Sequence, residues 1–214
     1  LVLSLTTLSA AEEKPVKENP FAAATITEFH TITGGYFSAH AGLNLARISN
    51  SNSDIRLFFS GGLTQSYFFT PVFGLFAGSE YASRGFEGSG RSSLASYIDF
   101  PFGVALNYGP SFLFKTARTW SQIGGYFGFP LGNFDNPSYL AIPSTTKMSF
   151  GLYVSAQQEW QISPEFSLGY RSWAKMGFLS IADSTFNAAP IEVGLGLVAS
   201  YFCCRFLPID LQKI

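Results

Sequence analysis

From Gly35 onward, hydrophobic positions recur at every second residue. The clearest run is Met148 to Ile162. Met148, Phe150, Leu152, Val154, Ala156 and Trp160 share one parity, while Ser149, Gly151, Tyr153, Ser155, Gln157, Glu159 and Gln161 share the other. A helix would scatter the two sets around its axis, whereas a strand sorts them onto two faces. Ile98 to Tyr108 repeats the pattern, with Ile98, Phe100, Phe102, Val104, Leu106 and Tyr108 opposed to Asp99, Gly103, Ala105 and Asn107. In Phe166 to Phe178, the residues Phe166, Leu168, Tyr170, Ala174 and Met176 oppose Ser167, Gly169, Arg171, Lys175 and Gly177. In Ile191 to Tyr201, the residues Ile191, Val193, Leu195, Leu197 and Tyr201 oppose Glu192, Gly194, Gly196 and Ser200.

Four weaker segments extend the series. Tyr36 to Ile48 sets Phe37, Leu43 and Leu45 against Ser38, His40 and Asn44. Ile55 to Phe69 sets Leu57, Phe59, Leu63 and Tyr67 against Ser60, Gly62, Thr64 and Ser66, and Val72 to Arg84 sets Phe73, Leu75 and Tyr81 against Gly78, Glu80 and Arg84. Phe112 to Phe129 is least regular. Its parity slips between Lys115 and Gln122, which predicts a bulge or an early turn there.

The connections alternate in length. Ser49 to Asp54, Gly85 to Ser93, Pro130 to Lys147 and Ile181 to Pro190 read as long polar loops. Thr70-Pro71, Gly109-Pro110 and Ser163-Pro164 read as tight turns. Bacterial membrane barrels have long outer loops and short periplasmic turns. Eight strands with both ends in the periplasm need four of the former and three of the latter, the count found here. The pattern therefore predicts an all-β fold: a transmembrane up-and-down antiparallel β-barrel of about eight strands, preceded by a short periplasmic extension.

Composition separates this reading from a soluble sheet. Aromatic residues make up 17% of the 214 positions and charged residues only 13%, against roughly 25% charge in a soluble domain. Mean hydropathy is +0.19, yet no apolar run is long enough for a transmembrane helix. An apolar chain of this kind fits lipid through the outward faces of strands. Net charge is −1 and the pI about 6.1, which gives no electrostatic case for nucleic acid.

Residues 1–11 read as part of a signal peptide: Leu1 to Leu8 is apolar, and Ser9-Ala10-Ala11 places small residues for cleavage before Glu12. The alternative is a short apolar strand or helix of the mature chain. Residues 12–34 form the periplasmic extension, polar from Glu12 to Pro20, with Asn19-Pro20 placed to start a short helix through His30. The barrel spans 35–202, and 203–214 is a tail. Adjacent Cys203 and Cys204 could join only through a strained ring, so two free thiols are expected.

The last strand approximates the signal read by the outer-membrane assembly machinery. Glu192 and Gly194 are followed by the spaced Leu197, Ala199 and aromatic Tyr201, although twelve residues follow Phe202. Ala41-Gly42-Leu43-Asn44-Leu45, Tyr97-Ile98-Asp99-Phe100-Pro101 and Val193-Gly194-Leu195-Gly196 together resemble segments of the small porin-family outer-membrane β-barrel domain proteins, architectural relatives of OmpA-, OmpX- and OmpW-type barrels. The resemblance spans residues 35–202 through degenerate motifs. It implies an outer-membrane location in a Gram-negative-type bacterium, and its label does not imply a pore.

Glu80, Arg84, Asp99, Glu159, Arg171, Lys175 and Glu192 are predicted to face inward. Their mixed signs suggest a buried network of ion pairs, because side chains fill a barrel of this size and an unpaired charge there is costly. A gated polar conduit is the competing reading. His40 also faces inward, with Ser38 and Ser60 as neighbours. Barrel-embedded lipid A deacylases use a His–Ser pair, but His40 is followed by Ala-Gly-Leu and not by that family's His-x-Ser-Asn segment. With only His30, His40 and the cysteine pair available, a metal site is not expected, and no phosphate loop or dinucleotide fingerprint is present. No catalytic residue and no cofactor are assigned.

The functional expectation is a non-enzymatic structural or surface-interaction role. The loop over 130–147 carries Phe134, Tyr139 and Leu140 for packing on the rim, contact with lipid or contact with a partner. The alternatives are a channel or transporter, for which Phe58, Phe68 and Phe76 could line a narrow path, and a soluble barrel holding a lipid-like ligand. Charges on the glycine-rich inner face argue against the last. The expected partners are outer-membrane lipid and the assembly machinery, with homo-oligomerisation through lipid-facing aromatics left open.

Overall fold

A strand with one apolar and one polar face needs two environments, and a closed sheet supplies them as outside and inside. The computed structural model describes residues 33–48, 55–88, 91–110, 117–132, 147–163, 165–178 and 189–205. They form eight strands: β1 (Gly34–Ile48), β2 (Arg56–Phe68), β3 (Phe73–Gly88), β4 (Arg91–Pro110), β5 (Ala117–Pro130), β6 (Ser149–Gln161), β7 (Phe166–Gly177) and β8 (Pro190–Arg205). Each is antiparallel to its sequence neighbour, and β8 returns to β1 to close the barrel. The closing seam runs from Ile48↔Pro190 to Gly34↔Arg205, with one register shift at Gly35/Tyr36. Closure leaves no sheet edge, which is what a strand in hydrocarbon requires.

The expected facing holds on every strand except β5, for which none was expected. Ser38, His40 and Asn44, Thr64 and Ser66, Glu80 and Arg84, Asp99, Tyr153 and Ser155, Arg171 and Lys175, and Glu192 are buried inside. Leu43, Leu63, Leu75, Phe102, Ile123, Val154, Met176 and Leu195 point outward and are exposed. Arg47 and Lys147 stand at one rim and Glu165 at the other. Between the rims, the outward residues whose side chains are described carry no charge. Tyr67, Phe73, Tyr108, Phe166 and Tyr201 gather near the end that carries the short turns, where a ring with an apolar body suits a lipid–water interface.

Both described chain ends lie at this turn end. The β2–β3 turn is fastened by Thr70 N–H to the Phe73 carbonyl at 3.2 Å and by Phe73 N–H to Thr70 Oγ1 at 2.9 Å. The β6–β7 turn uses Ser163 in the same way, with Phe166 N–H donating to its hydroxyl at 3.1 Å. Both match the expected tight turns.

Three expectations are corrected. Gly85 to Ser93 is not a long loop, because β3 and β4 stay paired out to Gly88↔Arg91. Its glycines and serines read as loop, but a hairpin paired along its length accommodates them. Gly109-Pro110 is not a tight turn, because it lies within β4 and pairs with Thr119 and Arg118. The irregularity assigned to Lys115–Gln122 is on the partner strand: register shifts between Asn107 and Gly109, where Gly109 has φ +76°. From Ala117 to Gly128, β5 pairs with β6 without a break. Trp120 causes the apparent slip, since this large indole is wholly buried inside and was not legible as an interior residue.

The signal segment, the extension through residue 32 with its expected helix, and the outer-loop residues Phe134, Tyr139 and Leu140 lie outside the described residues. β8 continues past Phe202 to Arg205. Cys203 is exposed, its thiol donating to the Gly35 carbonyl at 3.2 Å.

Candidate functional site

The barrel interior holds the polar chemistry of the described chain. It is organised in two levels. Toward the loop end, Glu80 on β3 stands directly opposite Asp99 on β4. Lys175 reaches across from β7 and donates to both, at 2.8 Å to Glu80 Oε2 and 2.6 Å to Asp99 Oδ2. Arg84 joins Asp99 at 2.6 Å and pairs through Nε with Glu192 on β8, which also accepts from Asn44 at 3.3 Å. Arg171 extends the network downward. It lies 3.5 Å from Glu80, donates to Gln122 Oε1 at 2.7 Å and to Thr64 Oγ1 at 3.2 Å, and contacts the Tyr153 hydroxyl.

These six charges balance: Glu80, Asp99 and Glu192 against Arg84, Arg171 and Lys175. All are at most 2% exposed. Charges taken this far from water are tolerated only when paired and further hydrogen-bonded. The rings of Tyr97 and Tyr126 supply additional faces, 4.5 Å and 5.4 Å from the Arg84 guanidinium carbon.

The second level lies near the turn end and centres on Glu159. Its two oxygens accept from Arg118 (3.2 Å), Trp120 Nε1 (3.3 Å), Gln157 (2.7 Å), Ser167 (2.6 Å) and Ser200 (2.6 Å). Arg118 lies over the Tyr36 ring at 4.3 Å. Tyr36, Phe68 and Trp120 pack against one another with ring centroids 5.5–5.7 Å apart, and Phe202 closes on Tyr36 at 4.9 Å. Trp173 and Phe76 are buried in the same core.

All seven charged residues expected inside are therefore placed inside. Six share one network, and Glu159 stands in the other. Arg118, Trp120, Trp173 and Tyr36 were missed. The signal for Arg118 was available, because it shares parity with Trp120, Gln122, Tyr126 and Gly128 on β5. Of the three candidate lining phenylalanines, Phe68 and Phe76 are buried filling and Phe58 is half-buried.

His40 does not assemble a serine–histidine pair. Its Nδ1 lies 3.3 Å from Arg171 and its Nε2 3.4 Å from Glu80, while the Ser38 hydroxyl bonds Ser200 at 2.7 Å. The imidazole is held by a cation and a carboxylate, with the Trp173 ring 5.5 Å away. Among the described residues, no three His, Cys, Asp or Glu side chains group to hold a metal ion.

No family model and no curated protein matches the chain. Solved structures do. Neisserial surface protein A is similar over 80% of this chain and 98% of its own, at 14% identity and a TM-score of 0.53. The outer membrane protein OprG from Pseudomonas aeruginosa is similar over 80% of this chain and 97% of its own, at 12% identity and a TM-score of 0.51. At these identities the likeness concerns the fold: the closed, all-antiparallel, eight-stranded barrel of outer-membrane proteins.

Proposed function

We propose that this chain is an integral bacterial outer-membrane barrel with a filled, non-conducting interior and a non-enzymatic structural or surface-interaction role. The observation that carries this reading is the pair of charge-neutral seals in series inside the barrel. The six-charge network around Lys175 occupies one level, and the Glu159 hub with the Tyr36–Phe68–Trp120 collar occupies the other. A conduit would need polar groups facing water, whereas here the charged groups face one another and are almost fully buried.

The membrane location is supported by the exposed apolar exterior between charged rims and by the likeness to outer-membrane barrels. Lipid is then the partner of the outward face. With the interior occupied, interaction falls to the loop end, as the name of the Neisserial surface protein suggests for that barrel. The test is reconstitution into a planar bilayer with current recording. The expected result is a folded, inserted barrel without unitary current. A stable unitary conductance from the folded protein would overturn the reading in favour of a pore.

A further inference from the structure

His40 faces the interior from the middle of β1 and is buried. It is the one histidine among the described residues. Two charged groups meet its ring from different strands. Arg171 Nη1 of β7 lies 3.3 Å from Nδ1, and Glu80 Oε1 of β3 lies 3.4 Å from Nε2. Behind Glu80, Lys175 of β7 holds the other carboxylate oxygen at 2.8 Å, and the Tyr153 hydroxyl of β6 donates to Oε1 at 2.9 Å. The register partners of His40 on β2 and β8, Gly62 and Val198, carry no charge.

Donor chemistry fixes the form of this ring. A guanidinium has only N–H donors. Nδ1 can meet Arg171 only as an acceptor, so it carries no proton. The neutral ring then keeps its proton on Nε2, on the side of the Glu80 carboxylate. In this form the imidazole adds no charge to a network in which Glu80, Asp99 and Glu192 already balance Arg84, Arg171 and Lys175. A second proton has only Nδ1 to go to. There it sets one N–H against another and leaves a seventh, unbalanced charge in the buried interior, which is costly. Arg171 is not free to turn away, because it is also held by Thr64 at 3.2 Å and Gln122 at 2.7 Å. We propose that His40 is an acid-sensitive latch: its bare Nδ1 ties β1 to Arg171 of β7, and the loop-end level of the interior loses stability as pH falls through the imidazole range. In the unfolded chain an imidazole takes up a proton as pH falls through about 6.5. The folded latch has no partner for that N–H. The unfolded state therefore binds the extra proton, and stability is present at neutral pH and lost in acid.

The test is urea unfolding of the full-length barrel in detergent micelles at about pH 7.5 and about pH 5.5, on either side of the ordinary imidazole range. Every protein carries His30→Gln, so that His40 is the one imidazole in the chain. The comparison variant is His40→Gln, whose amide offers an acceptor to Arg171 and a donor to Glu80 and does not titrate. His40→Asn, also non-titrating, is the second variant in case the first does not fold. The midpoint with His40 present is expected to fall on acidification, and to fall less in the amide variant. A midpoint that does not fall with His40 present, or that falls equally in the amide variant, overturns the latch. Nitrogen NMR of histidine-labelled protein at about pH 7.5 reads the ring directly and needs neither amide variant. A neutral imidazole with its proton on Nε2 is expected. A proton on Nδ1, or a charged ring, overturns the proposal.

Discussion

Glu80 and Asp99 stand directly opposite each other on adjacent strands, and the single ammonium of Lys175 bridges them at 2.8 Å and 2.6 Å. Like charges at opposed sheet positions destabilise, so the bridge is what permits this pairing. The same seam is weak nearby. Pro101 has no N–H to give, and β3 and β4 show no pairing at Gly78 and Ser79. Lys175→Met should therefore cost about 3–5 kcal/mol, the usual penalty for removing one partner of a buried pair. Adding Asp99→Asn to Lys175→Met should recover part of the loss. Urea unfolding in detergent micelles measures both, and additive losses in the double variant would show that the bridge is not the coupling.

Gly194 is explained by Trp173. The two are register partners on β8 and β7, and a Cβ at 194 would overlap the Trp173 indole. The ring is itself buried, with His40 on another side, and has little room to retreat. Gly194→Ala should destabilise by about 1–3 kcal/mol through overpacking. Combining it with Trp173→Leu should cost less than the two single losses summed. A Gly194→Ala unfolding midpoint equal to wild type would mean that the indole moves freely.

The outward face makes a different demand. Val154 lies midway along β6, exposed and between the uncharged Leu152 and Ala156. Val154→Arg should destabilise the folded barrel by about 2–4 kcal/mol if that face meets the hydrocarbon midplane. The comparison is Arg47, whose charge already stands at the rim and whose replacement by Leu should change little. Unfolding in lipid vesicles gives both values. An unaffected Val154→Arg variant would remove the lipid from this face.

Strand number, closure and the facing of seven strands were legible in the sequence because a closed sheet with unlike inner and outer environments enforces a two-residue period. Leu152, Val154 and Ala156 can alternate with Tyr153 and Ser155 only if one set faces out. The charged interior was legible for the same reason: Glu80, Arg171 and Lys175 have no stable place outside. What polarity could not reveal was where the interior is aromatic. Trp120 and Trp173 resemble lipid-facing residues by type, but in a narrow barrel they fill space that polar side chains leave. The irregular parity around Trp120 hid Arg118, and with it the partner that Glu159 takes on β5. The ends of β3 and β4 were misread because glycine and serine mark loops in isolated chains, whereas pairing with the neighbouring strand overrides that tendency in a hairpin.

Two seals in series make a prediction that one seal would not. Trp120 is fully buried in the collar with Tyr36 and Phe68, and its Nε1–H also serves Glu159 at 3.3 Å. Trp120→Ala should cost about 3–5 kcal/mol by leaving a cavity in that collar. It should not open a conducting path, because the Lys175–Glu80–Asp99–Arg84–Glu192 network above still closes the bore. Current should appear only when the upper level is cut as well, for example by Arg84→Ala added to Trp120→Ala in a protein still folded by gel mobility. Unitary current from the single Trp120→Ala variant would show that the ion pairs pass ions, leaving the aromatic collar as the barrier. Silence in the folded double variant would place a third closure elsewhere in the barrel.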